Sequence, residues 1–149
     1  MENHVTSSSH AVFSLKLHIV FVTKYRCRVI TPEILEALRA SLGGVLAAWR
    51  CELLEFGGEE DHVHLLAQVH PALCIADLIN NLKTASSRRI RSQYAQHLDA
   101  FYNKPVFWHR AYFVSSVGGA TLETVKAYVQ SQGTKEQPHK RPHNLRNGK

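Results

Sequence analysis

CELLEFGGEEDHVHLLAQV, residues 51–69, contains two largely apolar stretches on either side of Gly-Gly-Glu-Glu. The stretches at 51–56 and 61–69 have the length and composition of β-strands, and the glycine pair between them is a turn signal. The segment therefore predicts a β-hairpin whose turn spans residues 57–60. Alternate side chains of a strand share a face, so His62 and His64 project together, within about 7 Å of each other.

Two imidazoles at this spacing can hold one divalent cation, with Val63 buried behind them. A pair of solvated or hydrogen-bonded histidines is the simpler interpretation of the same pattern. His62 and His64 are therefore candidate metal ligands that need a second observation in their support.

The elements around this hairpin follow the order β-α-β-β-α-β-α. A four-stranded antiparallel sheet with two helices on one face accounts for the first six, which makes the chain an α+β protein of the ferredoxin-like (RRM-like) type. The additional C-terminal helix carries Tyr128. The expected ranges outside the hairpin are a strand at 12–22, a helix capped by Thr31 and ending near Trp49, a helix from Ile75 to Tyr94 or His97, a strand at 107–117, and a helix at about 122–132 that begins after a Gly118-Gly119 turn and a Thr121 cap and stops at Gly133.

Size and composition favour one globular domain of 149 residues. We expect a disordered N-terminus at 1–10, a folded domain at 11–133 and a basic flexible tail at 134–149. The formal charge of +6 comes mostly from that tail, which has five Lys or Arg residues and one Glu, so net charge is weak evidence for nucleic-acid binding. Three scattered cysteines, no signal peptide and no membrane-spanning run favour a cytoplasmic protein.

Tyr128 and Gln132 are four residues apart and share a helix face, whereas Val125 and Val129 form a neighbouring stripe that can pack. A phenol is a poor nucleophile at neutral pH, but a metal ion beside a phosphate would favour its attack. The Gln132 carboxamide is a candidate third ligand to the ion. A packed aromatic and a solvated amide are the alternative interpretation.

Basic and hydroxyl side chains form two further groups. Mixtures of this kind contact phosphate backbones, although a solvated helix face has the same composition. Three aromatic residues, Tyr25, Trp108 and Tyr112, are candidates to stack on unpaired bases, and Trp108 is equally a candidate core residue. The predicted DNA contacts are Lys24, Arg26, Arg28, Lys83, Ser86, Ser87, Arg88 and Arg91.

Several separate blocks, spread over residues 12–133, resemble the single-tyrosine HUH transposases of the IS200/IS605 insertion-sequence family (IS200-like transposases). They occur in the order seen in that family: His18–Arg26 (HIVFVTKYR), Asp61–Leu66 (DHVHLL), Leu82-Lys83 with Ser86–Arg88, Phe107-Trp108 with Tyr112–Val114, and Tyr128 with Gln132.

The resemblance implies a transposase that cleaves and rejoins single-stranded DNA at hairpin-bearing ends. By analogy, Tyr128 forms a 5′-phosphotyrosine, and His62, His64 and Gln132 hold Mg²⁺ or Mn²⁺. It also implies a homodimer with composite active sites, acting on the nucleoid of a prokaryotic cell and not on membranes.

One position departs from the family pattern, since Glu60 stands where many relatives have proline. Three alternatives stay open: a domesticated repeat-associated tyrosine transposase with the same motifs, a non-catalytic nucleic-acid-binding module, and a metal-dependent phosphoesterase. The hairpin sequence, the cleavage site, the physiological ion and the mobility of the element do not follow from the sequence. The same holds for whether one subunit or two assemble the site.

Overall fold

The elements of the fold follow the order that the sequence predicts. The structure is a computed structural model that describes residues 6–7, 12–13, 15–116 and 122–132. A 3₁₀ turn at Lys24–Arg26 follows the first long strand. The strands and helices are β1 (Thr6–Ser7), β2 (Val12–Phe13), β3 (Lys16–Thr23), α1 (Pro32–Ala48), β4 (Glu52–Glu59), β5 (His62–Gln68), α2 (Ile75–Gln93), α3 (Ala95–Asp99), β6 (Trp108–Ser116) and α4 (Leu122–Ser131).

Four strands form one antiparallel sheet in the order β4-β5-β3-β6. Consecutive strands β4 and β5 form a hairpin, while β3 lies between β5 and β6, so two helical crossovers are needed. This order, with α1 and α2 as the crossovers, confirms the predicted ferredoxin-like α+β fold.

One face of the sheet packs against α1 and α2. Thr31 caps α1 by accepting a hydrogen bond from the Ile34 amide at 3.1 Å, and Pro32 occupies the first turn, as the sequence predicts. Apolar residues then recur every four positions along α1 and are fully buried against the sheet. The side chains of this core include Ile19, Phe21, Val63 and Leu65 from the sheet with Ile34, Leu38, Leu42, Leu46, Leu78, Ile79 and Leu82 from the helices.

The opposite face of the sheet packs against α4. Val20 and Val22 of β3 are fully buried there, in contact with Val125 and Val129 of α4. Because β3 is covered on both faces, its sequence is apolar at consecutive positions instead of alternating.

The hairpin turn lies later than the sequence predicts. Gly57 and Gly58 belong to β4, where they pair with His64 and Val63, and the turn consists of Glu60 and Asp61. A glycine is needed at position 58, because a Cβ atom there would lie 2.5 Å from the carbonyl oxygen of His62. The glycine pair therefore permits close strand approach and does not form the turn.

Other boundaries differ less. The predicted strand at 12–22 is divided into β2 and β3, and the second long helix ends at Gln93 before the short helix α3. Thr6–Ser7 pairs with Val12–Phe13, where the sequence predicts disorder. The expected Gly118-Gly119 turn, Thr121 cap, Gly133 stop and basic tail lie outside the described residues.

Replacing Gly58 with alanine should lower the free energy of unfolding by more than about 1 kcal/mol, because the added methyl group meets the backbone of β5. Urea denaturation measures the change. Gly44 is the matched control: it lies inside α1, where an added methyl group would meet nothing within 4 Å. Gly44→Ala should raise stability by about 0.5 to 1 kcal/mol. Equal effects of the two changes would contradict the close approach at Gly58.

Candidate active site

His62 and His64 lie on the face of the sheet that α4 covers. They pair with Val22 and Val20 of β3, the valines on which α4 packs. The two imidazole rings are stacked, with centroids 6.4 Å apart and an interplanar angle of 30°. The strand thus brings the two predicted ligands together, as the spacing requires.

A carboxylate orients His62. Asp61 Oδ1 lies 3.0 Å from His62 Nδ1, and an ionised carboxylate can only accept, so Nδ1 carries a proton and, in the neutral ring, Nε2 has the free lone pair. Burial acts to raise the pKa of Asp61, but its hydrogen bond with His62 and the nearby charges of His62 and Arg26 lower it. Asp61 is therefore ionised at neutral pH.

His64 owes its position to a glycine in the neighbouring strand. A Cβ atom at Gly57 would lie 3.0 Å from His64 Nε2, so the ring occupies space that any other residue would fill. Burial, followed by the charges of His62 and His18, lowers the pKa of His64 below its usual value of 6.5. His64 is accordingly neutral at pH 7, which is the form that binds metal ions.

The imidazole pair fits a divalent cation in donor chemistry and orientation. In the part of the chain that the structure describes, no group of three His, Cys, Asp or Glu side chains is placed to hold a metal ion. A complete site would therefore need a ligand of another type, such as an amide oxygen, or water and substrate oxygens.

Tyr128 lies on α4, but its side chain points toward β6, which flanks β3 on the side away from the histidine strand β5. Its ring is 5.5 Å from that of Phe113, which pairs with Val20 on the side opposite His64. Two strand spacings, about 10 Å, thus separate the strand under Tyr128 from the one that carries the imidazoles. The hydroxyl is buried without a hydrogen-bond partner among the described residues, and burial raises its pKa.

Gln132 follows the last residue of α4. Its amide nitrogen donates to Ser131 Oγ at 2.9 Å. Neither Gln132 nor Tyr128 belongs to the described lining of the cleft that contains the histidines. In this conformation one subunit brings together His62 and His64 but not the other two predicted site residues.

The cleft beside the histidines has a volume of about 710 Å³. Its walls come from the β4–β5 hairpin, from the residues after β3 and from α4. Charges of both signs line it: Arg26, Arg28 and Lys126 against Glu59, Glu60 and Asp61. A cleft of this size admits a phosphodiester with its flanking sugars.

Arg26 connects the histidine site to α4. Its Nε atom donates to Asp61 Oδ2 at 3.2 Å, and its Nη1 atom donates to the carbonyl oxygen of Gln130 at 3.2 Å. One guanidinium thus contacts both the carboxylate that orients His62 and the helix that carries Tyr128. The sequence marks Arg26 only as a DNA contact, and Asp61 and Gly57 were not predicted as site residues. The cross-strand pairing of Gly57 with His64 is the signal that would have identified Gly57 as a site residue.

Known proteins are similar to this one over most of the chain. Residues 11–132 match the family model "Transposase IS200 like". The chain belongs to the IS200-like transposase family.

Two named relatives support this family assignment. The ISDra2 transposase TnpA of Deinococcus radiodurans is 30% identical over 125 residues, which are 84% of this chain and 89% of that protein. The transposase for insertion sequence element IS200 of Salmonella typhimurium is 31% identical over 127 residues, 85% of this chain and 82% of that one.

Two structural neighbours share the fold. A Deinococcus radiodurans R1 crystal structure, described as a transposase, has a TM-score of 0.79 and 27% identity, and covers 86% of this chain and 98% of that one. A REP-associated tyrosine transposase bound to a REP hairpin has a TM-score of 0.51 at 9% identity, covering 83% and 68%, and supports the fold alone. Within the described residues, no helix of this transposase is long and apolar enough to cross a membrane.

The predicted DNA contacts of the transposase separate into several kinds. Ser86 is fully buried; its hydroxyl donates to the Leu82 carbonyl at 2.7 Å and accepts from Trp108 Nε1 at 3.0 Å. A group without exposed surface cannot reach a phosphate, so Ser86 leaves the predicted set. Trp108 is likewise a core residue and is not available for base stacking.

Ion pairs and hydrogen bonds occupy several of the others. Arg28 pairs with Glu60 at 3.3 Å, and both side chains are exposed. Arg91 donates to Ser87 Oγ and to the carbonyl oxygen of Pro105, each at 3.1 Å. Arg88 is exposed on α2. The DNA contacts other than Ser86 stay predictions.

Arg26→Gln should loosen α4, because it removes the charged hydrogen bonds to Asp61 and to the Gln130 carbonyl. Amide hydrogen exchange in Leu122–Ser131 should become about tenfold faster, since such a bond is worth about 1.5 kcal/mol. Mass spectrometry of peptides from that helix measures the rate. Arg28→Gln is the matched control: its exposed pair with Glu60 does not touch α4, so exchange should not change. Equal protection in both variants would contradict the link.

Proposed function

We propose that this transposase cleaves and rejoins single-stranded DNA at hairpin-bearing element ends, with Tyr128 as the nucleophile. The observation that carries the proposal is the pair His62 and His64, with His62 oriented by Asp61, in a cleft whose wall includes the Tyr128-bearing helix. The family membership supports a DNA-processing enzyme in general.

The proposed reaction is two exchanges at one phosphorus atom. The phenolic oxygen of Tyr128 attacks, the bond to the 3′ oxygen breaks, and the leaving oxygen takes a proton to become a free 3′-hydroxyl. A 5′-phosphotyrosine remains. A second 3′-hydroxyl then attacks that phosphorus, and the tyrosine recovers its proton. The number of phosphoester bonds is conserved, so no nucleotide cofactor is needed.

Mg²⁺ or Mn²⁺ is the proposed cofactor, with His62, His64 and Gln132 as its protein ligands. When bound, such an ion supplies positive charge to the non-bridging phosphate oxygens and favours phenolate. The chain contributes the orientation: Asp61 fixes the tautomer of His62, and Gly57 leaves room for the ring of His64.

The proposed reaction needs a different placement of Tyr128. Its hydroxyl is buried against Phe113, and its raised pKa opposes phenolate formation there. We propose a homodimer in which the tyrosine helix of one subunit completes the histidine site of the other. Among the described residues, the helix docks on this sheet through Val125, Val129 and the ring of Tyr128, together with the Arg26 contact, a small attachment that can be exchanged.

The proposed substrate is single-stranded DNA with imperfect hairpins, on the nucleoid of a prokaryotic cell. A structural neighbour that shares the fold is described as bound to a REP hairpin. A non-catalytic nucleic-acid-binding module is the second candidate, favoured by one observation, the sequestered hydroxyl of Tyr128. Covalent chemistry separates the two.

Incubation with hairpin oligonucleotides from the DNA flanking the gene, plus Mn²⁺, should give a protein–DNA adduct that resists denaturing electrophoresis. Tyr128→Phe should abolish the adduct because the attacking oxygen is gone, and EDTA should abolish it reversibly. Tyr94→Phe, the same change at the end of α2, is the control and should retain the adduct. An adduct from Tyr128→Phe would make the assignment wrong, and no wild-type adduct would favour the non-catalytic module.

Mixed dimers test whether the site is composite. One subunit carries Tyr128→Phe, and the other carries His64→Ala. If sites are shared, one of the two contains both a tyrosine and an intact histidine pair, and about half of the wild-type adduct should form. If each subunit builds its own site, no adduct should form. Each homodimeric variant alone is inactive under both arrangements and serves as the control.

A further inference from the structure

A basic and aromatic surface lies at the β6 edge of the sheet, on the face opposite the histidine cleft. Tyr112 pairs with Phe21, whose side chain points to the core beneath α1 and α2, so Tyr112 lies on that helical face. Its side chain is 38% exposed. We call the surface made by Lys24, Lys83, Arg110 and Tyr112 the edge patch.

Lys83 fixes the centre of the edge patch. Its Nζ atom donates to the carbonyl oxygens of His109 at 2.9 Å and Arg110 at 2.7 Å, and lies 5.7 Å from the centroid of the Tyr112 ring. Burial, followed by the charges of Lys24 and Arg110, lowers the pKa of Lys83. Lys24 and Arg110 are thus close enough to Lys83 to repel its charge.

No described carboxylate relieves the repulsion between Lys83 and these two cations. Over the residues with described positions, neither Lys24 nor Arg110 has an acidic side chain within ion-pair distance. Arg26 and Arg28 in the cleft are, by contrast, paired with Asp61 and Glu60. The edge patch therefore offers positive charge that no described carboxylate neutralises, which suits a polyanion.

The hydrogen bonds of Lys83 argue against an added β-strand as the occupant of the edge patch. Successive carbonyls of a strand point to opposite sides, and Lys83 binds those of both His109 and Arg110, so the outward one of this pair is already occupied. A depression of about 210 Å³ adjoins Lys83, and Thr84 and Ser87 contribute hydroxyl groups to it. Hydroxyls and cations together suit phosphate oxygens.

We propose that the edge patch binds unpaired nucleotides of single-stranded DNA, with Tyr112 stacking on a base and Lys24 and Arg110 contacting phosphates. This inference rests on the proposed DNA substrate but not on the reaction at Tyr128. An exposed aromatic ring beside cations is typical of single-strand binding, because every base has a face that can stack. A bound DNA strand would contact both faces of the sheet, because the histidine cleft lies on the face opposite the edge patch.

The stacking contact is tested with a fluorescent oligothymidine of about 12 nucleotides, which forms no hairpin. Fluorescence anisotropy in EDTA measures affinity without any reaction. Tyr112→Leu should weaken binding about fivefold or more, whereas Tyr112→Phe keeps the ring and should bind within twofold of wild type. Equal affinity of the leucine and phenylalanine variants would overturn the stacking.

The phosphate contact is tested by the salt dependence of the same binding. Arg110→Gln should weaken it and reduce the slope of log Kd against log salt by about 0.7, the value for one phosphate contact on a single strand. Arg39→Gln is the matched control, because Arg39 is an exposed α1 cation paired with Glu36 at 3.4 Å. An unchanged slope for Arg110→Gln, or equal changes in both variants, would overturn the proposal.

These outcomes separate the edge patch from the proposed reaction. Anisotropy in EDTA does not depend on Tyr128 chemistry, so a failed adduct experiment with the expected binding losses would remove only the reaction. Unchanged binding by the edge-patch variants, together with a Tyr128-dependent adduct, would remove only the edge patch.

Discussion

The burial of β3 on both faces is the constraint from which the rest of the structure follows. Its odd-numbered side chains, such as Phe21, complete the core under α1 and α2. Its even-numbered side chains Val20 and Val22 form the apolar surface on which α4 packs. The strand pairing next to these valines then fixes where His62 and His64 lie. Loss of the apolar face formed by Val20 and Val22 would displace the helix that carries the proposed nucleophile.

Electrostatics divides the molecule into two kinds of surface. In the cleft, the arginines are matched by carboxylates, so they orient groups and hold an element in place: Arg26 does this for Asp61 and for α4. At the β6 edge, Lys24 and Arg110 stand without such partners in the described ranges. Composition alone does not distinguish these roles, because pairing depends on which residues the fold brings together.

Much of the fold could be predicted from local patterns, because alternation and capping are encoded within a few residues. The Thr31 cap and the shared face of His62 and His64 are examples. The turn was misplaced because a glycine pair is a strong turn signal, and only the register of two strands reveals that Gly57 makes room for a ring. The burial of Ser86 and the position of Tyr128 depend on tertiary packing, which periodicity does not specify.

Two consecutive non-glycine residues after β3, Tyr25 and Arg26, have φ values of 60° and 56°. This left-handed backbone costs of order 1–3 kcal/mol per residue and persists because its surroundings hold it, including the Tyr102 hydroxyl that donates to the Lys24 carbonyl at 2.9 Å. The arginine head group is consequently aimed before any substrate arrives. The entropic cost of ordering that side chain is therefore met during folding, and DNA binding does not include it.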